Sequence, residues 1–215
     1  MPEPSVFSSP TDAALSSASV PVVTGTGGTK VRAVGMTDEA LVRLTLGGDA
    51  RAFTTLIERH APACLRYATR MLGDRADAED VAQETFMRVH KSLSHYDERM
   101  PFRSWLFAIL VNRCRTALSQ RIRRERRVVA DDGEMMLASV PSTARATEVR
   151  QDVERALRQL VPEQREAFLL RHVEQLEYDE IARLTGARPS AVRMRVKRAC
   201  DRLQELLRDG EGEAA

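Results

Sequence analysis

The chain has 215 residues, a net charge of +2, 43% hydrophobic residues and only 5% aromatics. That length suits one or two domains with packed cores, and no apolar run approaches the ~20 residues of a membrane-spanning helix. The small net charge hides segregation: residues 77–84 carry four acids and no base, residues 103–127 carry eight Arg against one acid, and residues 188–208 carry seven bases against two acids. Two basic blocks behind an acidic one suggest two polyanion contacts and one surface of a different kind.

Residues 1–35 are rich in Ser, Thr, Pro and Gly and are expected to be disordered. They lack the basic start and continuous apolar core of a secretory signal. Met36 opens "MTDEALVRL", where the ordered part begins, and offers an alternative start. Thr37, with Asp38 or Glu39 after it, reads as a helix cap, with Leu41 and Leu44 on one face. Gly47 and Gly48 end that helix and Asp49 caps the next, "ARAFTTLIERHAPACLRYATRML". There Phe53, Leu56, Ile57, Leu65 and Leu72 keep a 3.6 period, with Pro62 as a candidate kink. The third helix, "DAEDVAQETFMRVHKSL", turns Val81, Phe86, Val89 and Leu93 inward. After the loop "SHYDERMP" comes a long, increasingly basic helix, "FRSWLFAILVNRCRTALSQRIRR", in which Trp105 reads as core beside Leu106, Ile109 and Leu110.

Residues 128–147 lose periodicity and hold Gly, Pro and Ser, the composition of a linker. Four shorter helices follow, the second opened by Pro162. In the last pair, "YDEIARLTGARPSAVRMRVKRAC", Ile181, Ala182 and Leu184 line one helix, Gly186 supplies a tight turn, and Ser190 is placed to cap the second. Val192 and Val196 pack back. This is helix-turn-helix spacing. Arg193, Arg195, Lys197 and Arg198 then crowd a helix of the size that enters a major groove. The expected fold class is all-α: two helical domains joined by a flexible linker, the C-terminal one a helix-turn-helix. Cys64, Cys114 and Cys200 include no CxxC pair and read as small buried hydrophobes in a reducing compartment. The four His are scattered, and no metal cluster, phosphate loop or nucleophile–base pattern appears, so neither enzyme nor cofactor is expected.

"DAEDVAQETFMRVHKSL" with "YDERMPFRSWLFAILVNRCRTALSQRIRR" resembles region two of bacterial RNA polymerase sigma factors, and the C-terminal segment resembles their region four. The short linker between them is similar to that of the extracytoplasmic-function group. The resemblance implies region two at 36–127, the linker at 128–147, region four at 148–208 and a tail at 209–215. It implies a cytoplasmic protein that directs core polymerase to promoters. On it, Asp80, Gln83, Glu84, Phe86 and Arg88 meet the clamp helices of the largest catalytic subunit, with Phe86 offering either packing or contact. Tyr96, Asp97, Glu98, Arg99 and Met100 form the loop that captures a flipped base of the minus-ten element, and Arg103, Asn112 and Arg113 face the melted strand. The cluster Arg121, Arg123, Arg124, Arg126 and Arg127 holds backbone phosphate, with Arg124 to Arg127 equally readable as a flexible basic tail. Arg188, Ser190, Arg193, Met194, Arg195, Lys197 and Arg198 face the minus-thirty-five element, and region four also contacts the flap of the second subunit. Arg188, Pro189 and Met194 depart from the usual pattern. The resemblance further implies an anti-sigma factor on which the two domains close, without membrane insertion of this chain. The rival readings are a stand-alone helix-turn-helix regulator, which has no need of the acidic helix, and a sequestering mimic, which has no need of a basic recognition helix.

Overall fold

The computed structural model describes residues 35–128 and 145–213. The N-terminal extension, most of the linker and the last two residues lie outside them. Among the described residues there are eight α-helices and no strand. These are α1 (Asp38–Leu46), α2 (Ala50–Leu72), α3 (Arg75–Ser92), α4 (Phe102–Val128), α5 (Arg145–Gln159), α6 (Pro162–Phe168), α7 (Tyr178–Thr185) and α8 (Pro189–Glu213).

Local chemistry sets most boundaries. Thr37 Oγ1 accepts from the Ala40 N–H, Asp49 from Arg51 and Asp74 from Asp77, so three consecutive helix starts are capped by side chains. Gly73 and Gly186 end α2 and α7 in the left-handed conformation, at φ 74° and 68°. α2 runs on through Pro62 without a break. Two boundaries differ from expectation. α5 begins at Arg145, inside the segment read as linker. α8 begins at Pro189, and the Val192 N–H bonds the Arg188 carbonyl, so Arg188 holds the cap position and Ser190 lies in the first turn.

Helices α1–α4 enclose one core, with Leu56, Tyr67, Met71, Phe102, Phe107 and Leu110 at its centre. Helices α5–α8 enclose another around Leu169, Leu170, Ile181 and Val192. The two are not independent bodies on a tether: their buried side chains form one continuous cluster. α4 packs on α7, and α2 packs on α5 and α6. Cys64 and Cys114 lie inside as expected, and burial pushes both thiols up to about 12. Cys200 is a correction: it is half-exposed on α8, with Sγ 3.7 Å from His172 Nε2.

Between α6 and α7 the chain widens into a π turn over Leu169–Val173, and Gln175 follows at φ 59°. This wide turn buries Glu174, whose side chain is 1% exposed and faces the first domain.

Candidate nucleic-acid and polymerase interfaces

The acidic helix α3 presents one outward stripe. Asp80, Gln83 and Arg88 are exposed and Glu84 is half-buried. Met87, 46% exposed, completes the stripe at helical spacing. Sequence reasoning passed over Met87, although its place seven residues after Asp80 and four after Gln83 marks the same face. Phe86 is 8% exposed and packs into the core, so it supports this surface from beneath. Glu84 bonds Arg113 of α4 and, at 3.5 Å, Arg88, so it ties the acidic stripe to the basic helix behind it.

The loop after α3 is tightly built. Asp97 accepts from the Arg99 N–H through its side chain (3.0 Å) and from the Met100 N–H through its carbonyl (3.0 Å). The Tyr96 hydroxyl donates to the Met100 carbonyl at 2.6 Å. The Tyr96 ring packs against Phe102 and Trp105, with centroids 5.7 and 5.3 Å away. Trp105 is therefore half-buried under the loop. Asp97, Glu98 and Arg99 stay exposed, and Glu98 pairs with Arg43 of α1 at 2.7 Å. Asn112 is exposed on α4, nine residues beyond Arg103, or roughly 14 Å along the axis. The structure thus groups the loop residues at one end of α4 and sets Asn112 and Arg113 apart.

Arg103 faces the second domain. Its guanidinium donates to the Glu174 carbonyl (2.8 Å) and to Glu174 Oε2 (2.6 Å). Farther along α4, Arg115 donates Nε to Glu166 Oε2 (2.7 Å) and Nη2 to Glu166 Oε1 (2.6 Å), a bidentate pair. Ser104 donates to Glu180. Arg165 answers from the other side, donating to the Met71 carbonyl at 2.7 Å. The Glu166 side chain is 3% exposed. Burial pushes the Glu174 carboxyl above its ordinary value, even though Arg103 pulls it down. The Tyr67 hydroxyl and Glu174 Oε1 have no protein hydrogen-bond partner among the described residues, so the contact carries buried polar atoms that it does not satisfy. The basic surface read from the sequence as facing a melted strand is thus partly spent on acids of the second domain. The same guanidiniums cannot hold carboxylate and phosphate at once.

The helix-turn-helix closes as its sequence requires. The Ala187 N–H bonds the Ala182 carbonyl across the Gly186 turn, and Ile181, Ala182, Leu184, Val192, Val196 and Ala199 are buried. Arg188 is exposed at the cap of α8, and Ser190, Arg193, Met194, Lys197 and Arg198 are exposed along it. Arg195 differs: it is half-buried at the flank. Tyr178, which sequence reasoning did not single out, lies between two guanidiniums: that of Arg171 is 4.8 Å and that of Arg193 5.3 Å from its ring centroid. An aromatic at the first position of α7, with Arg fifteen residues later, was its only trace in the sequence.

Residues 56–127 match the family model for sigma-70 region 2, and residues 150–203 match that for sigma-70, region 4. The chain is 34% identical over 168 residues to RNA polymerase sigma factor CarQ of Myxococcus xanthus, covering 78% of this chain and 96% of that one. It is 32% identical over 186 residues to RNA polymerase sigma-H factor of Pseudomonas aeruginosa, covering 80% and 96%. Among solved structures it resembles sigma factor RpoE in complex with the anti-sigma factor NepR from Bartonella quintana, with TM-score 0.63, 30% identity, and 74% and 98% coverage. It also resembles CnrH in complex with the cytosolic domain of CnrY, with TM-score 0.61, 27% identity, and 80% and 97% coverage. No helix among the described residues is long and apolar enough to cross a membrane.

Proposed function

Because the chain belongs to the RNA polymerase sigma factors of the extracytoplasmic-function group, we propose that each of its two domains carries one half of promoter recognition, and that the contact between them holds it inactive. The chain binds core polymerase and directs it to promoters. It acts in the cytoplasm and makes no covalent change itself; the polymerase makes the RNA. The observation that carries the reading is the pairing, in one chain, of an outward acidic stripe on α3 with a cation-lined recognition helix α8. A stand-alone regulator would have no use for the first.

In this reading Asp80, Gln83, Glu84, Met87 and Arg88 meet the clamp helices of the largest subunit. The loop 96–100 captures a base of the minus-ten element, taking it from the stack into a small protein pocket. Asn112 follows the melted strand, and Arg103 and Arg113 join it once released from their acids. The outward face of α8 docks on the minus-thirty-five element, and the second domain also meets the flap. The domains must part first, since Arg103 is engaged by Glu174 and α4 is packed on α7. Core polymerase supplies the free energy of opening by binding the parted form better. An anti-sigma factor, by likeness to the RpoE complex, would hold the closed form.

The test is co-elution of the purified chain with core polymerase on size exclusion, followed by run-off transcription from candidate promoters. Co-elution with promoter-dependent transcripts is expected. A folded, inhibitor-free chain that never joins the polymerase would overturn the reading.

A further inference from the structure

Helix α8 buries Val192, Val196, Ala199 and Leu203, which stand at i, i+4, i+7 and i+11 and make one stripe. Met194 is two residues from each valine. At about 100° per residue it points directly away from that stripe. It is 48% exposed, the one large apolar side chain on this helix left so open among the described residues. Its two sequence neighbours are both turned off the central line: Arg193 is drawn onto the Tyr178 ring, and Arg195 is half-buried at the flank. What remains along the middle of the outward face over residues 189–198 is Ser190, Met194, and Lys197 with Arg198, so in these N-terminal turns a thioether occupies the centre of a cationic surface.

We propose that Met194 is the specificity-determining residue of this helix and reads the 5-methyl group of a thymine in the major groove. The inference rests on the promoter-reading role proposed for α8. Phosphate contacts from the flanking cations fix register and carry no sequence information. Sequence is read at the base edges, and thymine alone presents a methyl there. A thioether offers no donor and only a weak acceptor, but it is polarisable and has three rotatable bonds, so it can seat on that methyl. Against cytosine or guanine the same side chain would displace water from a polar edge and return no hydrogen bond. Position agrees with chemistry, because the N-terminal residues of a recognition helix reach the bases and Met194 is the sixth residue of α8.

The experiment uses the full chain with core polymerase and promoter fragments in which each thymine of the upstream element is replaced, one at a time, by uracil. This removes the methyl and leaves every hydrogen-bonding group. One position is expected at which uracil weakens binding about fourfold, the worth of one buried methyl group. Met194→Ala should abolish that dependence at that position, and Met194→Leu, which keeps methyl groups, should retain it. Because Met194 is exposed, neither change should unfold the domain. Comparing the thymine-to-uracil ratio of each variant with that of the wild type cancels effects of uracil on DNA stacking. Binding indifferent to uracil at every position would overturn the proposal, as would a uracil effect of the same size in Met194→Ala. Lys197→Ala separates this from failure of the underlying reading: it should weaken binding to all sequences and lower the salt slope by about one. If Lys197→Ala changes nothing, the DNA-reading role of α8 falls and the proposal with it. If it behaves as stated and uracil has no effect, the thymine contact alone falls.

Discussion

Replacing Arg115 by alanine should open the molecule. Arg115 holds both oxygens of Glu166, whose side chain is 3% exposed in the closed form. Without the guanidinium, that carboxylate is left buried and unpaired, and it regains water only if the domains part. Breaking a buried ion pair from one side costs about 3–5 kcal/mol. Arg115 itself is 38% exposed, so the lower end applies, about 3 kcal/mol or roughly a hundredfold in the closed-to-open ratio. The assay is an interdomain distance measured by electron spin resonance. One nitroxide sits on native Cys200 and the other on a cysteine introduced at exposed Lys91, while Cys64 and Cys114 are buried and stay unlabelled. The wild type should show one narrow distance distribution, and Arg115→Ala should show a broad one with both domains still helical. Arg115→Ala combined with Glu166→Leu removes both charges and should restore the narrow distribution. An unchanged distance in the single variant would refute the idea that this pair holds the domains together, and an open double variant would refute the stranded charge as the cause.

Three further outcomes follow from the geometry. Asp80→Ala with Gln83→Ala should weaken co-elution with core polymerase and leave melting of the chain within about 0.5 kcal/mol, since both side chains are exposed; equal loss of fold and binding would contradict an interface role. Burial opposes ionisation of Asp38, but hydrogen bonds and charge from His60 and Arg59 outweigh it and hold the carboxyl below its ordinary 3.8. Its contribution to docking α1 on α2 is therefore present above pH ~4 and lost as pH falls through the lowered value. An acid titration followed by amide exchange in α1 should show this loss in the wild type and not in Asp38→Asn. Gly186→Ala meets no atom within 4 Å, so its cost is backbone strain at φ +68° alone. About 1–2 kcal/mol of stability should be lost from the second domain, read by denaturant melting.

Helix α8 shows where a sequence pattern holds and where it stops. Val192 and Val196 announced the buried face of α8, and the glycine turn announced its partner, because periodicity and left-handed turns are local properties of the chain. Arg193 against Tyr178 was not legible, because it depends on how α7 crosses α8. On α3, the acids marked the outward stripe, yet whether Phe86 faced in or out was settled only by packing against its neighbours.

Arg103 and Arg115 mark the limit most clearly. Composition identified a basic helix, and a basic helix ahead of a linker reads as a nucleic-acid surface. Charge alone cannot say which anion it meets. The wide turn at 169–173 buries Glu174, and α6 presents Glu166, so the nearest anions belong to the same chain. By itself the sequence determined most of the helices, the caps at Thr37 and Asp49, the helix-turn-helix and the family, all encoded in short-range patterns. Only the tertiary structure decided that the two domains close on each other, since that contact joins residues about fifty to ninety-four positions apart and no local periodicity records it.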